Sequence, residues 1–470
     1  MPANAPEIVS APIAHFPVLR GLIDELGIPA ILDEFLPKHT LSRVSDADCV
    51  VTMILNILCG RVALFRMDEW LARTDAELLL GAGRQADAFV DDRLAACLDH
   101  LDAVGTDTLL TGVLHHFFSL PGRARAYSVH QDFTTLSVYG QYDDDVSPCG
   151  PIPMFGHSKE LRPDMKQLVF GLTIHGSAGV PLVCSMLNGN TSDSFANRDH
   201  LAQLSKLLPP EDEVTIVGDC KLVDETTLGQ LVGAGFHFVS LLPDTYKLRR
   251  QLVQDAFAAV PEPTRWPLLG SHAGRRKADP HTEYRGWSVE RELPVRVHDA
   301  ALAARRHASC FPLVTDHVDT PGWDDKRILA EYRHQGVVEG TSGFRWLKGP
   351  AAGAPLFLKT TTRIRALGLV MDLALMVRNL WQFRMRAAAK AALDTIRHPF
   401  TRREVTNLTA EMAMEHFGAV QSVKWLRDDG NWVRLRQQIS LVDLKILAYL
   451  RVPETVFWTP PSQKLPVRLI

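Results

Sequence analysis

Three acidic residues stand where chemistry could be done. Asp132 lies in the run Val129-His130-Gln131-Asp132-Phe133-Thr134-Thr135, and Asp219 closes Thr215-Ile216-Val217-Gly218-Asp219. Both runs are rich in β-branched residues, so each reads as a strand delivering an Asp at or near its end. Glu339 ends a helical-looking segment, Tyr332-Arg333-His334-Gln335-Gly336-Val337-Val338-Glu339. Three carboxylates delivered by two strands and a helix would suit a pair of Mg²⁺ ions, with Mn²⁺ as a substitute, for in-line phosphoryl transfer on a nucleic acid. Taken singly, each has an ordinary explanation. An Asp after a strand is commonly a turn or cap residue, and a Glu on an amphipathic helix is commonly solvated. The order of elements around them has to carry the reading.

Other residues could assist. At helical spacing Tyr332, Gln335 and Glu339 share one face. Arg345 and Lys348 follow in Phe344-Arg345-Trp346-Leu347-Lys348, setting phosphate donors beside a metal ligand. Upstream, Gly156-His157-Ser158-Lys159 combines small residues with a cation, which suits a loop against a DNA backbone and equally a plain surface loop. Asn190 and Asp193 read as turn residues after a strand. Trp287 could stack on an extruded base, although a core or surface Trp is the simpler reading. The 18 histidines show no His-x-x-x-His spacing at the adjacent pair His115 and His116, so they give no metal motif.

The elements that would position these residues follow from periodicity. Residues 16–120 read as an all-helical domain, with segments at 46–58, 66–80, 91–101 and 106–118 and Asp91 or Asp92 as an N-cap. A structural bundle accounts for it, and so would a bundle carrying a helix-turn-helix. From residue 126 the period changes. Residues 126–133 and 135–139 read as a hairpin, and 166–175 with 180–187 as a second pair turning at Gly176 and Gly179. A helix (197–208), strand (214–218), helix (224–234) and strand (236–242) follow. Residues 245–320 mix charged runs with strand-like pieces at 284–289, 293–297 and 309–315, as a β-rich insertion would. Helix returns at 322–338 and again, at length, at 362–393.

This order matches an α/β, ribonuclease-H-like mixed sheet, in which the first and fourth strands are neighbours at the centre. It divides the chain into a helical N-terminal domain (1–120), a first part of the core (121–244), a β-rich insertion (245–320), the end of the core with the Glu helix (321–395) and a C-terminal region (396–470).

Composition is compatible. The chain has 470 residues, 46% hydrophobic and 22% charged, as in soluble globular proteins. No apolar run reaches the ~18 residues of a membrane span. Residues 1–10 lack the features of a secretion signal, and the seven scattered cysteines read as reduced thiols, so a cytoplasmic, nucleoid-associated protein without membrane contact is expected. The net charge of −3 argues mildly against a nucleic-acid binder. Its distribution does not: acidic residues crowd the N-terminal part and 143–145, while basic ones gather late, from Lys247 to Arg403. On that asymmetry the insertion and the basic stretch after Glu339 are expected on a DNA side.

Together these residues resemble the insertion-sequence DDE transposases of the IS-four superfamily, which carry a β-rich insertion before the Glu. The carriers are Asp132-Phe133-Thr134-Thr135 with Gly140, Gly156-His157-Ser158-Lys159 with Arg162-Pro163-Asp164, Gly189-Asn190-Thr191-Ser192-Asp193, Gly218-Asp219, and Tyr332 to Lys348. The resemblance covers most of the chain. It implies a DNA transposase that cuts and joins the ends of a mobile element as a homodimer on double-stranded DNA. Asp132, Asp219 and Glu339 would then be the catalytic metal ligands for two Mg²⁺, and Tyr332, Gln335, Arg345, Lys348 and Lys159 would contact DNA. The helix signature departs in two places. Gln335 stands where an Arg is expected, and Lys348 comes two residues late, as a small insertion within Gly340 to Gly343 would produce. A nuclease of the same fold and a non-catalytic, transposase-derived DNA-binding protein are the alternatives.

Overall fold

A computed structural model describes residues 7–60, 62–120, 126–138, 142, 150–159, 161–209, 211–272, 282–289, 311–318, 320–340, 342–348, 358 and 360–461. The expected strand at 293–297, Gly140, the acidic run 143–145 and part of the basic run from Lys247 lie outside these residues. A strand, β1 (Ile8–Pro12), precedes seven helices: α1 (Phe16–Glu25), α2 (Ile28–Phe35), α3 (Asp46–Leu55), α4 (Met67–Ala72), α5 (Ala76–Leu80), α6 (Asp91–Val104) and α7 (Thr106–Ser119). Local chemistry sets several boundaries. Ser45 and Asp48 form a reciprocal capping box at α3. Residues 66–80, read as one helix, are two, because Asp75 breaks the run and caps α5 through the Leu78 amide. At α6 the N-cap is Val90, and Asp91 and Asp92 occupy the first turn.

The centre of the molecule is a mixed six-stranded sheet. Its strands are β2 (Ala126–Ser137), β3 (Gln167–His175), β4 (Pro181–Leu187), β5 (Glu213–Gly218), β6 (His237–Leu241) and, after β7 (Leu268–His272) and β8 (Thr282–Arg285), β9 (Leu313–Thr315). The order is β4-β3-β2-β5-β6-β9. The first three strands run antiparallel, β5 and β6 run parallel to β2, and β9 closes the edge antiparallel to β6. Helices α8 (Asp193–Leu207) and α9 (Glu225–Gly233) connect these strands.

The sequence suggested a hairpin across residues 126–139. Instead β2 runs unbroken for 12 residues. Thr134 and Thr135 are β-branched, neither is a turn former, and β3 pairs with β2 from Val129↔His175 to Ser137↔Gln167. The described residues of 245–320 are not all strand and loop. They open with a 13-residue helix, α10 (Lys247–Ala259), and β9 belongs to the central sheet.

After the sheet come α11 (Asp325–Arg333), α12 (Gly336–Glu339), α13 (Phe344–Leu347) and the 31-residue α14 (Thr361–Ala391). The C-terminal part adds β10 (Ile396–Arg397), β11 (Glu404–Val405), α15 (Ala410–Met414), β12 (Gln421–Leu426), β13 (Trp432–Arg434) and α16 (Leu441–Leu450). β12 pairs with β1, so residues 7–120 are not purely helical: they contribute the edge of a β1-β12-β13 sheet. α14 is buried for most of its length and packs on α3, α6, β4 and α16, which joins the helical layer to the sheet.

The charge asymmetry of the sequence also changes meaning. Arg363 pairs with Asp99, Arg365 with Asp102, Arg384 with Glu25 and Arg378 with Glu411. Four of the late arginines therefore neutralise acidic residues of this same chain, three of them from the helical part.

Candidate active site

Strand register brings the first two carboxylates together. β2 and β5 pair in parallel from Ala126↔Glu213 to His130↔Val217. Continuing that register two residues past its last rung sets Asp132 level with Asp219. Parallel neighbours lie ~4.8 Å apart, and level residues point to the same face. Each Asp is fixed by a local amide: Asp132 Oδ1 accepts from Phe133 N at 2.7 Å, and Asp219 Oδ1 from Lys221 N at 2.9 Å. Ser240 on β6 donates to the Asp219 carbonyl at 2.7 Å, which anchors the strand end from its other side.

The third carboxylate arrives through a broken helix. α11 ends at Arg333 and α12 starts at Gly336, with His334 and Gln335 between them. Tyr332, Gln335 and Glu339 therefore do not share a face. Tyr332 is half-buried and Glu339 exposed, whereas Gln335 is buried with its amide nitrogen unpartnered. Past Glu339 the chain turns tightly. Gly343 sits so close to α12 that a Cβ would lie 1.9 Å from the Val338 carbonyl oxygen, so glycine is required. Asn379 on buried α14 donates to the carbonyls of Ser342 (2.8 Å) and Gly179 (2.6 Å), which ties this turn to the β3–β4 turn. α13 follows at once.

The result is one open cleft of about 410 Å³ whose lining includes Asp132, Lys159, Glu339, Arg345 and Lys348. Lys159 stands on an organised loop. Its amide donates to Thr135 Oγ1 at 3.0 Å, and its ammonium donates to the Phe133 carbonyl at 2.5 Å. The same ammonium lies 3.9 Å from Asp132 and 3.6 Å from Asp193. Gly156 in this loop abuts the Gly189 turn, where a Cβ would come 2.5 Å from the Gly189 carbonyl oxygen.

Electrostatics mark the cluster. Burial pushes the Asp132 carboxyl up to about 7; the Lys159 ammonium and Phe133 amide oppose the rise, while Asp219 and Glu339 add to it. Asp219 is raised by burial and by Asp193, against the Lys221 amide and the Lys159 ammonium. The Tyr332 phenol is raised by burial, then by Asp219, Cys220 and Glu339, against Arg249. Its ring also stacks on Phe311, with centroids 6.4 Å apart.

Of the residues singled out from sequence, Asp132, Lys159, Glu339, Arg345 and Lys348 line this cleft, whereas Asp219 follows the neighbouring strand β5, Tyr332 lies on α11 and buried Gln335 does not line it. Asp193 was read as a turn residue only. It begins α8, just after the Ser192 N-cap, and adds a fourth carboxylate next to Lys159 and Asp219. Its signal lay in Gly189-Asn190-Thr191-Ser192-Asp193, whose capping chemistry accounts for it locally and hides its long-range position.

Residues 8–115 match the model of a domain of unknown function, DUF4277. No curated protein matches the sequence. Among solved structures, the chain is similar to a piggyBac transposase in a synaptic complex with hairpin DNA, at 10% identity and a TM-score of 0.41, over 85% of this chain and 79% of that one.

Proposed function

We propose that this chain is a DNA transposase of the insertion-sequence DDE type, related to the IS-four superfamily, with a ribonuclease-H-like core. The observation that carries the reading is the β2–β5 register, which sets Asp132 level with Asp219 while Asp132 and Glu339 line one cleft. The strand order, three antiparallel strands followed by two parallel to the first, is the one expected for such a core.

The donor set fits hard divalent cations. It is all oxygen: Asp132, Asp193, Asp219 and Glu339, with the Lys159 ammonium close to Asp132 and Asp193. Asp132, Asp219 and Glu339 would hold two Mg²⁺, whose chemistry when bound is to activate water or a DNA 3′-hydroxyl and to stabilise the leaving oxygen. Arg345 and Lys348, on the rim, would bind phosphates flanking the scissile bond. Tyr332 would donate its phenol proton to a phosphate oxygen beside Glu339. Lys159 would hold the Asp132 end of the cleft in register through the Phe133 carbonyl.

The test is cleavage and joining of DNA carrying the inverted repeats that flank the coding region, with Mg²⁺. Cleavage with joining is expected, and its loss in Asp132→Asn with DNA binding retained. Cleavage without joining would favour a nuclease of the same fold. Binding without either reaction would favour a non-catalytic DNA-binding protein.

A further inference from the structure

Behind the carboxylate cluster, a second constellation joins the central strand to the helix that leads to Glu339. His130, on β2 two residues before Asp132, is fully buried. Glu331 lies in the last turn of α11, and His334 is the residue that caps the helix. The ligand atoms of the three side chains all lie within 4.8 Å of one another. His130 Nε2 is 3.8 Å from Glu331 Oε2, too long for a hydrogen bond but close to the separation of two ligand atoms each ~2.1 Å from one ion. The His130 and His334 rings meet edge to face, with centroids 5.1 Å apart.

The polar atoms here lack the partners that burial demands. His130 Nδ1 and Glu331 Oε2 are both buried without a hydrogen bond. The remaining ring nitrogen of His130 has Ser128 Oγ at 3.3 Å. A second histidine–carboxylate group in the molecule shows the contrast. In His237, Asp316 and His317, the Asp316 carboxylate accepts from His237 Nδ1 at 2.9 Å and from Phe238 N at 2.8 Å, and His317 Nε2 pairs with Thr215 Oγ1 at 2.9 Å. That carboxylate is consumed by internal hydrogen bonds; the Glu331 oxygen is not.

We propose that His130, Glu331 and His334 bind one transition-metal dication of the Zn²⁺ class, clamping α11 onto β2. Two imidazoles and one carboxylate form a borderline donor set that favours Zn²⁺ or Co²⁺ over Mg²⁺, which prefers oxygen alone. A Glu-x-x-His spacing facing a ligand from another element is a recurrent way to hold such ions, and here it spans the end of α11. The clamp would fix the segment carrying Tyr332 and Glu339 against the strand carrying Asp132. It requires no DNA chemistry, so its failure and that of the transposase reading are separate.

Co²⁺ titration of the untagged, chelator-stripped full chain tests it. One equivalent should bind with visible d–d bands of nitrogen ligation, which persist in excess Mg²⁺ and in Asp132→Asn. Zn²⁺ should displace it and raise the melting temperature. His334→Ala, at an exposed position, and Glu331→Gln should each weaken binding at least roughly tenfold. Bands that are absent, or unchanged in both variants, would overturn the proposal. So would bands lost to Mg²⁺ or in Asp132→Asn, since the ion would then sit on the catalytic carboxylates.

Discussion

Asp75 and Asp132 are both acidic residues drawn into the protein by contacts between distant segments, and their surroundings differ in kind. Asp75, at the start of α5, is fully buried, and every neighbour answers its charge. Arg434 on β13 donates to both oxygens at 2.7 and 2.8 Å, Ser422 donates at 2.6 Å, and the Lys424 ammonium lies 3.4 Å away. Burial raises this carboxyl, but Arg434 and Ser422 outweigh it and hold it at about 2. Asp132 has one ammonium at 3.9 Å, shared with Asp193, and two further carboxylates close by. The difference teaches how to tell roles apart: a paired acid stabilises the fold, whereas crowded acids with too few cations are kept for something that arrives later.

The largest expected effect comes from removing a crowded acid. Asp132→Asn should lower metal-dependent DNA cleavage by about 1,000-fold or more, because a metal ligand and its charge are lost together. Its melting temperature without divalent ions should stay level or rise, since repulsion with Asp219 and Glu339 is relieved. Denaturation and cleavage assays on one preparation check both. A marked loss of stability would place Asp132 with the structural acids and erase the contrast.

Arg434→Ala probes the other side. Removing one partner of a buried pair costs about 3–5 kcal/mol. Here Lys424 and Ser422 remain, so about 3 kcal/mol is expected in denaturant unfolding at neutral pH, with cleavage by the folded fraction unchanged. A loss below about 1 kcal/mol would mean that Asp75 is not a structural anchor.

The same pair predicts a pH signature. A carboxyl with a folded pKa of about 2 stabilises the native state fully above its unfolded value near 4. That contribution, on the order of 2 kcal/mol, is lost as pH falls from about 4 through about 2. Acid unfolding of Asp75→Asn should therefore be flatter than wild type across that window and parallel above it. Parallel curves throughout would show that Asp75 is not held low.

Much of this was legible in the sequence where the physics is local. The strands holding Asp132 and Asp219, the α8–β5–α9–β6 succession and the long helix α14 follow from periodicity and β-branching. Their neighbour relation was legible only through the order of elements. Where distant segments decide, the sequence was silent. Thr134 looks like a break until β3 pairs along it. Gln335 fits a helical face until the chain breaks at His334. The late arginines look like a DNA surface until Asp99 and Asp102, more than 260 residues away, take Arg363 and Arg365. Asp193 is explained by its cap and so gives no hint of the cluster it joins.

The smallest expected effect belongs to the basic residues that line the cleft. Arg345 is exposed and Lys348 partly so, and both line the same opening as Asp132 and Glu339. If they touch phosphates, each contact releases about one counterion, so Arg345→Ala or Lys348→Ala should reduce the slope of log affinity against log salt by about 0.9. The affinity loss at moderate salt should be about 1 kcal/mol, uniform across DNA sequences, because phosphates carry no base information. Arg363→Ala makes the matched control: equally cationic, but held by Asp99 at 2.7 Å. Its removal should leave the salt slope unchanged and cost only a surface ion pair's worth of stability, about 0–1 kcal/mol. Equal slopes for all three variants would mean that charge pairing inside the fold does not separate structural from DNA-facing cations, and the DNA path would have to lie elsewhere on the protein.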